Sequence, residues 1–233
     1  MSEQRTYTIV CPRCKHQMDV QLYDSINVKL SPELKEKLML NQVNAVICPK
    51  CELGFRVDKP LLYSDPARQM LIYWIPTREE AYDDGEEEFG SWVREMSSVL
   101  PEGVRAPDVH LVFTRIELVE RIFMLENKLD ERIIEYIKYL IYNRNIGKMN
   151  PAEKALLFNA EDSSDDNLCF VVQDLKTRQL ETVLKYGRDA YVALCETFNR
   201  EDKTGDLLEL FPGPYVSARS QLLKELRAEA QRE

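Results

Sequence analysis

The chain has 233 residues, which is enough for one large domain or two small ones. Its hydrophobic content of 44% and charged content of 30% are ordinary for a globular protein, and no apolar run is long enough for a membrane span. The formal net charge is −9, and residues 77–103 hold nine Asp or Glu against two Lys or Arg. The absence of such an apolar run predicts no membrane partner. Phosphate contacts require clustered Lys and Arg, and because the sequence has no such cluster, a nucleic-acid partner is disfavoured.

Two short cysteine motifs each follow an extended apolar run. A strand predicted over residues 6–10 leads into Cys11-Pro12-Arg13-Cys14, and residues 43–47 lead into Cys48-Pro49-Lys50-Cys51. In each motif the two cysteines can turn toward one point, and the proline between them favours a tight turn. Two such pairs supply four thiolates, the usual ligand set of a tetrahedral structural zinc site. The sequence therefore predicts that Cys11, Cys14, Cys48 and Cys51 bind one Zn²⁺ ion.

Other interpretations of the four cysteines differ in what they require. Iron in a rubredoxin-like site uses the same ligands in the same geometry, so an electron-transfer protein stays open as an alternative. A thioredoxin-like redox motif occurs once, at a helix N-terminus, whereas this motif occurs twice after extended runs. Four thiolates fill a tetrahedron and leave no position for water, which disfavours catalysis at the metal. The remaining cysteines, Cys169 and Cys195, lie in apolar contexts and are predicted to be packed thiols.

Further strands and a helix surround the cysteine motifs. Residues 17–23 alternate polar and apolar side chains and predict a strand that returns from the first motif. Ser31-Pro32-Glu33 is a helix start, with a capping serine and proline at the first helical position. After the second motif, residues 60–63 and 70–75 predict a hairpin around Ser64-Asp65-Pro66. Together these elements predict a zinc-ribbon-like β module over residues 1–76.

The middle of the chain is predicted to contain an acidic linker and then a helical hairpin. Residues 77–103 include Asp83-Asp84-Gly85-Glu86-Glu87-Glu88, which predicts a solvated acidic loop. Within residues 104–147, apolar side chains recur at helical spacing on either side of Asn127-Lys128, and Asp130 can cap the second helix. These apolar stripes are wide enough to pack into a core, which we favour over a dimer interface.

The C-terminal part is predicted to be an α/β extension over residues 148–233. Its elements, in chain order, are a short helix over 151–158, strands over 168–172 and 181–186, a helix over 188–198 and a last helix from Ser217. The domain prediction is accordingly a zinc-binding module over residues 1–147 and this extension. The fold class is α+β.

The sequence contains no recognisable catalytic motif. The chain has two histidines, His16 and His110, and neither belongs to a metal-protease or triad motif. No residue is therefore predicted to be catalytic. The leading hypothesis is a non-catalytic cytoplasmic protein that presents a protein-binding surface held by structural zinc, with a protein partner or a second copy as its ligand. A nucleic-acid-associated zinc-ribbon regulator is an alternative.

The pattern of these motifs resembles a bacterial family, the CpXC domain. The resemblance is carried by the two Cys-Pro-x-Cys motifs and by Ser25-Ile26-Asn27-Val28, Ser31-Pro32-Glu33-Leu34-Lys35, Asn44, Leu61-Leu62-Tyr63-Ser64-Asp65-Pro66 and Leu129-Asp130-Glu131-Arg132-Ile133-Ile134-Glu135. It covers roughly residues 5–143. It implies a cysteine-rich, zinc-binding module without an assigned biochemical function. Family members often carry glycine after the second cysteine of a pair, where this chain has Lys15 and Glu52.

Overall fold

The computed structural model describes residues 2–99, 109–199 and 201–232, except for the side chains of residues 201–204. It contains helices and three β-sheets, so the α+β prediction is confirmed. The chain divides into two compact units, Met1–Val119 and Glu120–Glu233. The predicted domains 1–147 and 148–233 were defined by motif content, and that division stays a prediction. No helix among the described residues combines the length and apolar character needed to cross a bilayer.

The first unit is built mainly from strands. In chain order its elements are β1 (Glu3–Val10), β2 (Gln17–Asn27), α1 (Glu33–Met39), β3 (Ala45–Ile47), β4 (Gly54–Arg56), β5 (Leu61–Asp65), β6 (Met70–Trp74), α2 (Tyr82–Ser98), β7 (His110–Val112) and the start of α3 (Arg115–Glu126). The predicted strands around the first motif, the helix after Pro32 and the β5–β6 hairpin are thus confirmed.

Five of these strands form one mixed sheet in the order β1-β2-β5-β6-β7. The β1–β2 and β5–β6 pairs are antiparallel, whereas β2 pairs with β5, and β6 with β7, in parallel. Side chains of β5 and β6 alternate, so that Leu61, Tyr63, Ile72 and Trp74 are buried on one face. The short β3–β4 hairpin forms a separate two-stranded sheet and carries the second cysteine motif.

The acidic segment differs from its prediction. Residues Tyr82–Ser98 form helix α2, so the predicted loop is wrong for this stretch, and residues 100–103 of the predicted linker lie outside the described residues. Tyr82, Gly85 and Phe89 recur at helical spacing and are buried, while the carboxylates between them face solvent. A Cβ at Gly85 would come within 2.5 Å of Phe113, so only glycine fits there without a shift. The helical spacing of these buried residues determines the structure of the segment, although acidic residues lie between them in the sequence.

The second unit contains the predicted helical hairpin and a three-stranded antiparallel sheet. After α3 its elements are α4 (Glu131–Arg144), β8 (Lys154–Asn159), β9 (Asn167–Asp174), β10 (Leu180–Gly187), α5 (Arg188–Phe198), α6 (Glu201–Leu210) and α7 (Ala218–Ala230). The sheet order is β10-β9-β8. The side chain of Asp130 accepts hydrogen bonds from the backbone N–H groups of Arg132 and Ile133, so the predicted cap of α4 is confirmed.

One core joins the helices and the sheet of this unit. Ile134 and Ile137 of α4 pack in the same buried cluster as Phe158 of β8 and Phe170 of β9. The stripe predicted on α4 is therefore used in the core, whereas on α3 the predicted stripe residue Ile116 is 43% exposed and Leu118 is buried instead. The helix predicted over residues 151–158 is wrong, because Leu156 and Phe158 alternate with more exposed residues and β8 pairs with β9. Helix α6 was not predicted.

Candidate metal centre

Each cysteine motif forms a turn with the same backbone hydrogen bonds. The N–H of Cys11 donates to the carbonyl of His16 at 2.9 Å, and the N–H of Lys15 donates to the carbonyl of Cys11 at 3.0 Å. In the second turn, Cys48 donates to Leu53 at 2.9 Å and Glu52 donates to Cys48 at 2.9 Å. β1 and β2 anchor the first turn, while β3 and β4 anchor the second. Two equivalent knuckles therefore present their thiols from rigid strand ends.

The structure brings all four predicted ligands together. The Sγ atoms of Cys11, Cys14, Cys48 and Cys51 all lie within 4.8 Å of one another. The Cys11–Cys51 and Cys14–Cys48 sulfur pairs are each separated by 3.6 Å. With metal–sulfur bonds of about 2.3 Å, the edge of a tetrahedral four-thiolate site is about 3.8 Å. Cys11 and Cys48 have no exposed surface, and the other two are half-buried. The cluster can therefore hold one metal ion.

The electrostatics of the cluster favour a bound cation. The backbone N–H of Cys14, helped by that of Arg13 and opposed by burial, lowers the pKa of the Cys11 thiol to about 6. At Cys51 the N–H of Leu53 lowers the pKa, but burial and the three neighbouring thiols outweigh it and raise the pKa to about 12. The thiolate form of Cys11 is thus stabilised, whereas the neighbouring thiols strongly disfavour ionisation of Cys51. A cation between the four sulfurs would offset this repulsion.

A family model matches the part of the chain that contains both cysteine motifs. Residues 9–138, more than half of the chain, match the model described as CpXC protein. The chain belongs to the CpXC family. Both cysteine motifs lie inside the matched range, as does the helical hairpin up to Lys138. Searches of the curated proteins and of the solved structures gave no significant match.

Each knuckle of this CpXC chain contains one residue in the left-handed conformation. Lys15 and Glu52 follow the second cysteine of each motif and have φ values of 59° and 57°. Glycine adopts this left-handed conformation more readily than other residues do. The non-glycine residues do not open the turns, because both N–H groups still close onto the first cysteine's carbonyl. Lys15 also folds back to donate from Nζ to the carbonyl of Pro12 at 3.2 Å.

Asn44 ties the second knuckle to the large sheet, a role that sequence reasoning missed. Its side-chain Oδ1 accepts from the N–H of Tyr23 at 2.7 Å, and its Nδ2 donates to the carbonyl of Tyr23 at 3.1 Å. Its own carbonyl accepts from the N–H of Val57 at 3.0 Å. Asn44 therefore imitates a strand residue alongside β2, from a left-handed conformation with φ of 57°. The signal available in the sequence was an asparagine just before an extended run, since asparagine tolerates this conformation.

Replacing Asn44 with glycine is expected to lower the free energy of unfolding of this CpXC protein by about 2–3 kcal/mol. Glycine tolerates the left-handed backbone, so the loss reports the two hydrogen bonds to Tyr23 and not backbone strain. Chemical denaturation measures it. Asn41→Gly is the matched control, because Asn41 also has a left-handed φ of 65° but is exposed, so that its hydrogen bond from Arg56 is open to water, and a change of about 0.5 kcal/mol or less is expected there. Equal effects of the two variants would contradict the role given to Asn44.

Proposed function

We propose that this CpXC protein is a non-catalytic cytoplasmic protein in which Cys11, Cys14, Cys48 and Cys51 hold a structural zinc ion, and that it works as a protein-interaction module. The observation that carries the proposal is the closed set of four thiols on two equivalent knuckles. Such a shell has no open coordination position for a substrate or a water molecule. A metal held in this way stabilises the strands around it and leaves recognition to the surface.

The connection of the knuckles to the sheet supports a stabilising role for the metal. The second knuckle lies in the long connection between the parallel strands β2 and β5. Bound metal would fix that connection to the β1–β2 turn, which contains Cys11 and Cys14. The reduced thiols that this requires fit a reducing compartment, which supports the cytoplasmic location.

Metal analysis of the purified protein, together with its absorption spectrum, tests the metal assignment. One zinc per chain and no visible absorption are expected. The same four thiolates also bind iron, and a red ferric-thiolate spectrum would replace the structural role with rubredoxin-like electron transfer. An affinity pull-down from the native host, with identification of the captured proteins, tests the interaction role. A turnover activity that is abolished by changing non-cysteine residues would contradict the non-catalytic assignment.

A further inference from the structure

The four cysteines of the cluster differ in how far solvent reaches them. Cys11 and Cys48, the first cysteine of each knuckle, have no exposed surface, whereas Cys14 and Cys51, the second of each, are half-buried. A small oxidant that arrives from solvent therefore meets the sulfurs of Cys14 and Cys51 first. Oxidation of a cysteine depends on its exposure and on its thiolate form, and a cysteine that binds a metal is a thiolate. The cluster thus has two accessible nucleophiles and two shielded ones.

Each accessible sulfur has a shielded sulfur of the opposite knuckle beside it. The Sγ atom of Cys14 lies 3.6 Å from that of Cys48, and the Sγ atom of Cys51 lies 3.6 Å from that of Cys11. A disulfide bond is about 2.05 Å long, so each pair has to approach by roughly 1.5 Å. Rotation of the half-buried side chains can supply this movement while the strands stay in place. Cys48 and Cys11 are therefore positioned as resolving thiols.

The two knuckles are held in place by contacts that do not involve the thiols. The β1–β2 and β3–β4 pairs and the backbone hydrogen bonds of the two turns fix the main chain of the cysteines. Asn44 attaches the second knuckle to β2 through its two hydrogen bonds with Tyr23. These contacts persist when the sulfurs change their oxidation state. The knuckles therefore stay face to face, which favours bonds between them.

We propose that the cluster is a site of reversible oxidative modification by a hydroperoxide, in which Cys14 forms a disulfide with Cys48, Cys51 forms a disulfide with Cys11, and the zinc is released. The inference rests on the zinc site of the proposed function and gives that site a means of regulation. The structural basis is the juxtaposition of one accessible and one shielded sulfur in each of the two pairs that join the knuckles.

Each disulfide forms in two steps. The thiolate of Cys14 or Cys51 attacks one oxygen of the peroxide, the O–O bond breaks, and the sulfur becomes a sulfenic acid while hydroxide leaves. The thiolate of Cys48 or Cys11 then attacks that sulfur, the S–S bond forms, and a second hydroxide leaves. The two sulfurs together lose two electrons, the peroxide gains them, and both hydroxides take up protons to become water. Once all four sulfurs are oxidised, the negative charge that holds the ion is gone, and the site releases Zn²⁺.

Disulfides at these positions would replace the connection that the metal makes between the knuckles. The segment between Cys14 and Cys48 contains β2, α1 and β3, and the bond between these cysteines would close it into a loop. A cross-link over such a segment restricts the unfolded chain and so stabilises the fold. A disulfide within one knuckle would close only its tight turn and would leave the knuckles unconnected. The oxidised module should therefore keep β1 and β2 folded without its metal.

Disulfide mapping tests the pairing. The zinc-loaded full chain is treated with hydrogen peroxide, its free thiols are alkylated, and it is digested with trypsin, which cleaves after Arg13 and Lys50 and so separates the cysteines of each knuckle. Linked peptides that join residues 14–15 to 38–50 and residues 6–13 to 51–56 are expected, with one zinc released per chain to a chromogenic chelator. Linked peptides within a knuckle, or sulfinic acids at Cys14 and Cys51 in place of disulfides, would overturn the proposal.

Cys195→Ser is the matched control for this experiment. Cys195 is as half-buried as Cys14 and Cys51 but lies outside the cluster. The variant should release the same amount of zinc and give the same linked peptides as the wild type. Linked peptides that contain Cys195, with a loss of zinc release in the variant, would show that Cys195 is the resolving thiol and would refute the pairing.

Hydrogen exchange distinguishes cross-linking from simple loss of metal. Zinc removed by a chelator under reducing conditions should leave the amides of β1 and β2 exchanging at least about ten-fold faster than they do in the peroxide-treated protein. Dithiothreitol and zinc added to the oxidised protein should restore the metal content. Equal exchange in the two metal-free forms would contradict the stabilising role of the cross-links, and failure to recover zinc would contradict reversibility.

The outcomes also separate this inference from the proposed function. One zinc per chain before treatment, followed by disulfides within each knuckle, would leave the structural zinc site intact and refute the pairing between knuckles. A purified protein that contains no zinc would remove the structural zinc assignment and this inference together.

Discussion

Replacing Cys11 or Cys48 with serine is expected to abolish binding of the proposed zinc ion and to unfold the cysteine module over residues 1–76. Both residues are the fully buried first cysteines of their knuckles. Structural zinc sites of this kind contribute about 10–16 kcal/mol to folding, which is as large as the whole stability of a typical domain. Elemental analysis, together with hydrogen exchange of β1 and β2, measures the loss of metal and of structure.

Cys195→Ser is the matched control for the cysteine variants. Cys195 is a half-buried thiol of α5 in the second unit, outside the cluster. The Cys195→Ser change should leave the metal content at one ion per chain and should not alter the hydrogen exchange of the first unit. If Cys11→Ser and Cys48→Ser kept their metal and melted like the wild type, the ligand assignment would be wrong.

Replacing Lys138 with methionine is expected to lower the free energy of unfolding by about 3–5 kcal/mol. Lys138 is buried in the second unit between two carboxylates, with its Nζ 2.5 Å from Glu120 and 2.7 Å from Glu135. These carboxylates also accept hydrogen bonds from the backbone. Glu120 accepts from the N–H of Phe158, and Glu135 accepts from the N–H of Ala218 at 2.8 Å. Methionine keeps most of the volume but leaves two buried negative charges without a counter-ion. Urea denaturation measures the loss.

Lys154→Met provides the comparison for this variant. Lys154 also contacts two acids, Asp174 at 3.1 Å and Glu181, but at a partly exposed site. The decrease in the free energy of unfolding caused by Lys154→Met should be much smaller than that caused by Lys138→Met, because solvent screens ion pairs near the surface. Similar losses in the two variants would show that burial does not set the strength of the Lys138 network.

The same lysine predicts a pH dependence of stability. Burial lowers the pKa of Lys138, but Glu120 and Glu135 outweigh it and raise the pKa above its ordinary value of 10.5. The folded protein therefore holds this proton more tightly than the unfolded chain does. The stabilisation is complete below pH 10.5 and decreases as the pH rises through the folded-state pKa. The stability difference between wild type and Lys138→Met should accordingly narrow as the pH rises to strongly alkaline values.

The geometry of the two cysteine turns could be predicted from sequence because its determinants are local. Two cysteines at a spacing of three positions need only a tight turn to face one point, and the turns form as expected around Pro12 and Pro49. The helical hairpin was equally accessible, since its apolar period and the Asp130 cap lie within neighbouring turns of the chain. The pairing of knuckle and sheet through Asn44 was not accessible, because its partner Tyr23 is 21 residues away.

The two wrong elements have different physical origins. In α2 a run of carboxylates concealed the helical spacing of Tyr82, Gly85 and Phe89, because charge alone does not distinguish a solvated helix face from a loop. The local sequence of β8 is compatible with a helix, and the segment forms a strand because it pairs with β9. A cavity beside β1 joins residues from five separate elements, so no sequence pattern marks it.

The position of the second knuckle has a kinetic consequence. Strands β2 and β5 are parallel neighbours, and the chain between them contains α1, β3, β4 and both Cys48 and Cys51. The β1–β2 hairpin is local and can form quickly, whereas the β2–β5 pair must first close this long connection. Metal held by the first pair of cysteines would capture the second pair and divide the connection into shorter loops. The metal would therefore act on the rate of folding as well as on its equilibrium, and refolding should accelerate as metal is supplied.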